Sequence, residues 1–166
     1  KIEPVARRIG TVYDPSQPNA AKWVRDFGAA AKARNVEFVE ATATTSGDIG
    51  IAARSLTGRV DAIMIGNDGN TLAGVAAIAA TAKQAKIPLY LNGGDHTVAG
   101  VFATLGPNFY EVGRLAGQNA GKVCAGADPA TLPFGRPGAV TWGINTQTMT
   151  ELGLRVPADI LASAAK

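Results

Sequence analysis

Cysteine and histidine are almost missing from this sequence: its 166 residues hold one of each, Cys124 and His96. A single cysteine can form no internal disulfide, and the Cys/His clusters that bind zinc are excluded. The Ala/Gly/Val surroundings of Cys124 predict a small buried hydrophobe. No apolar run reaches the roughly 18 residues that a membrane span needs, and no secretory leader stands in these residues. Charge of one sign is lacking too. The formal net charge is +3 with lysine and arginine scattered, so no nucleic-acid partner is expected. The sequence has no Gly-x-Ser-x-Gly, no Gly-x-x-x-x-Gly-Lys and no Gly-x-Gly-x-x-Gly. These omissions remove the strongest signs of a hydrolase nucleophile, a nucleotide P-loop and a dinucleotide fingerprint. No cofactor and no metal are expected.

What the chain does have is apolar material in short, ordered pieces. It is 46% hydrophobic and 17% charged, a balance that fits one globular domain with a real core. Its organising stretch is Asp61 to Thr81. Ala62-Ile63-Met64-Ile65 has the length and type of a strand buried on both faces. Gly66 to Thr71 is a turn cluster in which Asp68 or Asn70 can cap a helix. From Leu72 the apolar positions Leu72, Val75, Ala76, Ala79 and Ala82 follow a helical period.

The same pattern repeats on either side. Ile9 to Tyr13 reads as a strand, Asp14 to Asn19 as a turn, and Trp23, Phe27, Ala30, Ala31 and Arg34 as a helix face, with Trp23 read as core. Val36 to Ala41 alternates like an edge strand. Thr44 to Asp48 opens a helix that stops at Gly58, and Ile87 to Leu91 is a strand opened by Pro88. Alternating strands and helices with short connections require right-handed crossovers. The fold class expected is therefore α/β, a doubly wound parallel sheet, Rossmann-like or flavodoxin-like. Val101 to Leu105 is a further apolar segment. Phe109 to Ala125 is a helix whose one side, Phe109, Gly113, Ala116, Gly117, Ala120 and Cys124, is mostly small and demands a close neighbour. Ala139 to Asn145 is a last strand, Thr146 to Leu152 a short helix, and Gly153 to Lys166 a tail.

In a parallel sheet the carboxyl ends of the strands share one edge. The loops after the first, third and fourth strands therefore bring Asp14 and Asn19, Asp68, Asn70 and Thr71, and Asp95, His96 and Thr97 to one lip. Carboxylates suit an ammonium group and helix-start amides suit a carboxylate, so the lip fits a small zwitterion or polar ligand. Tyr13, Tyr90 and Tyr110 lie near strand ends or a helix start, where a ring can line a pocket.

Several segments together resemble one family. They are Arg8 to Asn19 (RIGTVYDPSQPN), Val60 to Thr71 (VDAIMIGNDGNT), Ala85 to Tyr90, Phe102 to Gly106, Tyr110 to Gly117 (YEVGRLAG), Gly126 to Ala130, Ile144 to Thr148 and Leu152 to Pro157. The chain resembles the substrate-binding proteins of ABC uptake systems with the type I periplasmic-binding fold, of the kind linked to tryptophan and tyrosine uptake. The resemblance implies a non-enzymatic protein of two lobes joined by a hinge, with this chain as the second lobe and closing segment. Residues 1–106 would be the ligand-binding lobe. Residues 107–166 would be a crossover helix, last strand and tail, packed on the same lobe or on a missing first lobe, with a homodimer through helix 109–125 as the other way of covering it.

The implied ligand is an amino acid or similar polar or aromatic solute, the implied partner a membrane permease, and the implied location periplasmic or extracytoplasmic as a lipoprotein. The implied contacts are Tyr13, Asn19, Ala20, Asp68, Asn70, Thr71, Asp95 and Thr97. Ala20 stands where the family usually has serine, and Gly69 is inserted before Asn70-Thr71. Two other readings use the same lip: a flavodoxin-like or Rossmann-like enzyme acting through Asp68, Asp95 and His96, and the sensory lobe of a regulator.

Overall fold

The expected strands pair into a single sheet in the computed structural model, which describes residues 6–93, 97–136, 138 and 140–164. β1 (Arg8–Tyr13), β2 (Glu37–Thr42), β3 (Ala62–Ile65), β4 (Leu89–Leu91), β5 (Val101–Pro107) and β6 (Val140–Ile144) lie in the order β2-β1-β3-β4-β5-β6. The first five are parallel. β6 runs antiparallel to β5, from Ala103 opposite Ile144 to Pro107 opposite Val140. The strand order reverses between β1 and β3, which makes that gap the topological switch point of the sheet.

Helices α1 (Pro18–Lys32), α2 (Ser46–Ser55), α3 (Gly69–Ala73) and α4 (Val75–Gln84) connect the parallel strands. Alternation along β2 separates the two faces. Val39 and Ala41 join Ile49, Ala52 and Ala53 of α2, Ile78, Ala79 and Ala82 of α4, and Ile63, Ile65 and Leu89 in one buried cluster. Phe38 points the other way and meets Phe27 of α1 with ring centroids 5.1 Å apart. The helices after β1 and β3 thus leave on opposite faces, as a doubly wound sheet requires. Each fully buried Leu or Ile in the larger cluster contributes about 1.5–3 kcal/mol relative to exposure.

β2 is an edge strand, as its alternation predicts, with Glu37, Glu40 and Thr42 exposed. At the other margin, β6 leaves Val140 and Thr141 exposed.

The helix expected to run on from Leu72 is broken at Gly74. A Cβ there would lie 2.4 Å from Cδ1 of Ile49, so Ile49 of α2 occupies the space a side chain at position 74 would need. Gly66 is constrained in the same way. A Cβ on it would stand 2.5 Å from the Trp23 indole, which stacks on Phe27 at 4.9 Å.

A second cluster forms around Phe102, Ala103 and Ile144, covered by Met149 and Leu152 of α6 (Thr146–Leu152), Leu154 and Val156, and Ile160 and Leu161 of α7 (Ala158–Ser163). Helix α5 (Phe109–Cys124) contrasts with all of this, because none of its residues is buried. Cys124 is exposed, which corrects the expectation of a buried thiol. The small neighbours that suggested burial belong to a helix face with nothing packed on it: added Cβ atoms at Gly113, Gly117 and Gly121 would meet no atom within 4 Å.

The starts of β1 and β3 are tied by Asp61, whose carboxylate accepts from the backbone N–H of Arg7 (3.0 Å) and Arg8 (2.9 Å) and from Arg8 Nη2 (2.8 Å). The Arg8 guanidinium holds the Asp61 carboxyl below its ordinary value of 3.8.

Two outcomes follow from this packing. Gly66→Ala pushes Trp23 off its seat and lowers stability by about 1–3 kcal/mol, measurable by urea unfolding followed through tryptophan emission. Asp61→Asn lowers stability at pH 7 by about 1 kcal/mol, since the pair is partly exposed. Because the folded pKa of Asp61 is depressed, its contribution is complete above the ordinary carboxylate range and disappears as pH falls through the folded value. The gap between variant and parent therefore narrows as pH falls below the ordinary carboxylate range, and a gap that widens in acid contradicts the assignment.

Candidate functional site

At the carboxyl edge of the sheet, the loops after β1 and β3 face each other across the switch point. They are bonded to one another. Asp68, the cap of α3, is 1% exposed. Its carboxylate accepts from Thr71 N at 3.0 Å, from Asp14 N at 2.6 Å and from Gln17 Nε2 at 3.1 Å. Gln17 returns an acceptor, since its Oε1 receives Gly69 N at 3.3 Å. Asn19 Nδ2 donates to the Asn67 carbonyl at 2.6 Å. Four of these bonds cross from the first loop to the third, so the crevice is stitched and its polar groups form a raised lip.

Asp14 completes the stitching from below. Its buried carboxylate accepts the Ser16 N–H at 2.9 Å and hydroxyl at 2.7 Å, and Gln17 Nε2 at 3.3 Å. The Ser16 hydroxyl and backbone N–H hold its carboxyl below the usual range, burial opposes them, and the Gln17 and Asn70 amides add to the lowering. Both carboxylates are therefore acceptors already engaged by the chain's own donors.

The expected site residues divide by position. Asn19 is exposed and Asn70 half-buried on the lip, with Asn70 Nδ2 donating to the Ala43 carbonyl beyond β2 at 3.3 Å. Thr97 is exposed on the loop between β4 and β5. Asp68 and Thr71 lie beneath the surface, and the Thr71 hydroxyl is fully buried without a hydrogen-bond partner. Ala20 is buried in the first turn of α1. Tyr13 donates its hydroxyl to Glu40 Oε2 at 2.9 Å, and burial followed by Glu40 raises its pKa. Asp95 and His96 lie outside the described residues. Of the three groups weighed for catalysis, only Asp68 can be placed, and its carboxylate takes three hydrogen bonds.

Two contributors were not legible as such in the sequence. Gln17 carries no signal beyond being a turn residue, yet it bridges both loops. Trp23 lies under Gly66 and continues the lip toward β4. With the Asn92 amide oxygen facing the indole, Trp23 Nε1 donates to it at 3.2 Å and the Asn92 amide donates to the Leu105 carbonyl at 3.2 Å. The opposite orientation would set acceptor against acceptor.

Two cavities lie away from this lip. One of 420 Å³ is lined by Arg54, Thr57, Thr81, Gln84 and Ala85, and one of 260 Å³ by Arg7, Asp61, Pro88, Tyr90 and Leu154. Both are toward the amino edge of the strands. In the smaller one, burial pushes the Tyr90 hydroxyl up to about 12. Among the described residues, no group of three or more His, Cys, Asp or Glu side chains could hold a metal ion, and no helix is long and apolar enough to cross a membrane.

The geometry thus offers an open polar lip. Comparison with known proteins gives it a context. The family model described as ABC transporter substrate binding protein matches residues 1–166. A tyrosine-binding protein of Clostridioides difficile (strain R20291) is 26% identical over 154 residues, which is 93% of this chain and 45% of that protein. A conserved domain protein from Vibrio cholerae superposes with a TM-score of 0.89 at 26% identity, over 98% of this chain and 55% of that one. An ABC domain from Streptococcus pneumonia in complex with L-Trp also gives 0.89, at 24% identity, over 99% of this chain and 56% of that one. The chain therefore spans about half the length of the relatives it matches.

Asp68→Ala leaves the buried N–H groups of Asp14 and Thr71 without acceptors and lowers stability by about 2–4 kcal/mol. Thr71→Val removes a hydroxyl that has no partner while keeping its shape, so stability holds or rises by up to about 1 kcal/mol. Urea midpoints of the two variants check both, and a large loss in Thr71→Val would contradict the geometry.

Proposed function

We propose that this chain, which belongs to the ABC transporter substrate-binding protein family, forms one lobe of a two-lobe solute-binding protein that takes up an amino acid. The observation that carries the reading is the stitched lip at the switch point. Its donors and acceptors stand above a crevice closed by four of the chain's own hydrogen bonds. Such a surface is one wall of a cleft, and a ligand held there needs a second wall.

A first lobe of comparable size supplies that wall. The relatives' greater length supports this division, as does α5, which leaves the sheet without burying a residue. Residues 1–106 are then the ligand-binding lobe. In 107–166, α5 crosses toward the first lobe while β6, α6 and α7 complete this one. Asn19, Asn70 and Thr97 meet the ligand, with Asp68 and Thr71 beneath them as supports and Tyr13 and Ala20 shaping the margin. The tyrosine-binding relative and the L-Trp-bound neighbour favour an amino acid as ligand. Binding stabilises the closed arrangement of the lobes because the ligand touches both walls only when they close. A membrane permease reads that closure outside the cytoplasm, where the protein is periplasmic or held by a lipid anchor. The reading assigns no catalysis and no cofactor.

Calorimetry of the two-lobe polypeptide with the twenty amino acids tests it. At least one ligand is expected to bind, and Asn19→Ala is expected to weaken that ligand by roughly tenfold, the worth of one lost polar contact. Heat from no amino acid overturns the ligand class, and an unaltered affinity in Asn19→Ala removes this lip from the site.

A further inference from the structure

We infer that Phe109 is a specificity-determining residue of this cleft, its ring forming the apolar wall against which a planar ligand side chain packs. The inference rests on the amino-acid reading above and adds a residue that reading does not use.

Phe109 begins α5 immediately after β5 ends, so it stands at the same carboxyl edge as the lip. Asn108 fixes it there by capping the helix, its side chain accepting from Tyr110 N at 3.0 Å and Glu111 N at 3.3 Å. The ring lies against the backbone of the loop after β4: a Cβ built on Gly93 would sit 3.5 Å from Phe109 Cε2. Gly93 has φ +83, a conformation that side chains rarely adopt, and it donates its N–H to the Leu105 carbonyl at 2.9 Å. A Cβ on Gly106 would in turn meet the Gly93 Cα at 2.7 Å. Gly93, held close to Gly106 of the adjacent strand, thus leaves room beside its backbone for the phenyl ring.

Phe109 is nevertheless 64% exposed. An exposed phenylalanine at a capped helix start, with its ring beside Gly93, presents an apolar face whose backbone is already ordered, which lowers the ordering cost of binding. It is also continuous with the polar lip. Asn19 bonds the loop that holds Gly66, Gly66 rests on Trp23, Trp23 bonds Asn92, and Gly93 carries Phe109. One end of this rim carries the exposed Asn19 and half-buried Asn70 side chains, polar groups for the charged end of an amino acid. The other end offers an aromatic surface. A ligand spanning both is an amino acid with a ring, for which offset or edge-to-face packing adds to simple burial.

The test is Phe109→Ala and Phe109→Leu in the two-lobe polypeptide, titrated with tyrosine, tryptophan, leucine and alanine. Thermal midpoints of the ligand-free proteins are measured alongside. Phe109→Ala is expected to weaken aromatic ligands by roughly tenfold or more, leave any measurable alanine binding within about twofold, and leave the ligand-free midpoint unchanged. Phe109→Leu is expected to recover aliphatic binding better than aromatic binding. An equal loss for every ligand, or a lowered ligand-free midpoint with unaltered selectivity, assigns the ring to lobe packing and overturns the inference. Unchanged affinity overturns it as well. If the parent protein binds no amino acid, the functional reading itself fails, and that result is separate from any effect of Phe109.

Discussion

A carboxylate buried at the junction of two loops must find donors, and Asp68 finds three of them in the backbone and side chains of its own chain. One belongs to its own helix start and two come from across the switch point. The same group therefore begins α3, anchors the end of β1 and orients Gln17. Without it, two buried N–H groups would lack partners, and only the Asn19 and Gln17 bonds would still join the loops after β1 and β3. Asn19 and Asn70 present their amides in a defined arrangement because this tie is beneath them. The residue that attracts attention as a ligand carboxylate has its strongest role as a positioning group.

The edge this tie creates has two chemical halves. Around the β1 and β3 ends it is polar, and its crevice is closed by hydrogen bonds. Around the β4 and β5 ends it is glycine-rich backbone with a phenyl ring laid on it. Trp23 joins the halves from below, filling the space that a side chain at position 66 would take. Helix α5 starts from this edge and then departs from the sheet with no buried residue. In a two-lobe protein such a helix and such an edge face the same neighbour, so the cleft and the crossover act as one device.

Most of the architecture was legible in the sequence because strand and helix periods record burial directly. Val39 and Ala41 alternate with Glu40, and Ile49, Ala52 and Ala53 recur at helical spacing, so both elements and their inward faces could be read. What escaped depends on distant partners. Position 74 has no room for a side chain because Ile49 occupies that space, and no local pattern announces it. Cys124 sits among small residues that look like core, yet composition cannot reveal that nothing packs on them. The antiparallel direction of β6 shows only in its pairing with β5, which its own residues do not announce. Of the lip, Asn19, Asp68 and Asn70 could be placed on one edge by topology alone. The roles of Gln17 and Phe109 could not be read, since a glutamine in a turn and a phenylalanine at a helix start are both ordinary until their neighbours are known.

The two margins of the sheet are chemically unlike. β2 shows outward glutamates at positions 37 and 40, whose charge discourages another strand from adding to its free backbone. β6 offers Val140 and Thr141, uncharged and uncovered, along an equally unpaired ladder. Protection against edge-to-edge association is therefore built into one side only. The flank left open to a further strand is the one whose last strand runs against the rest.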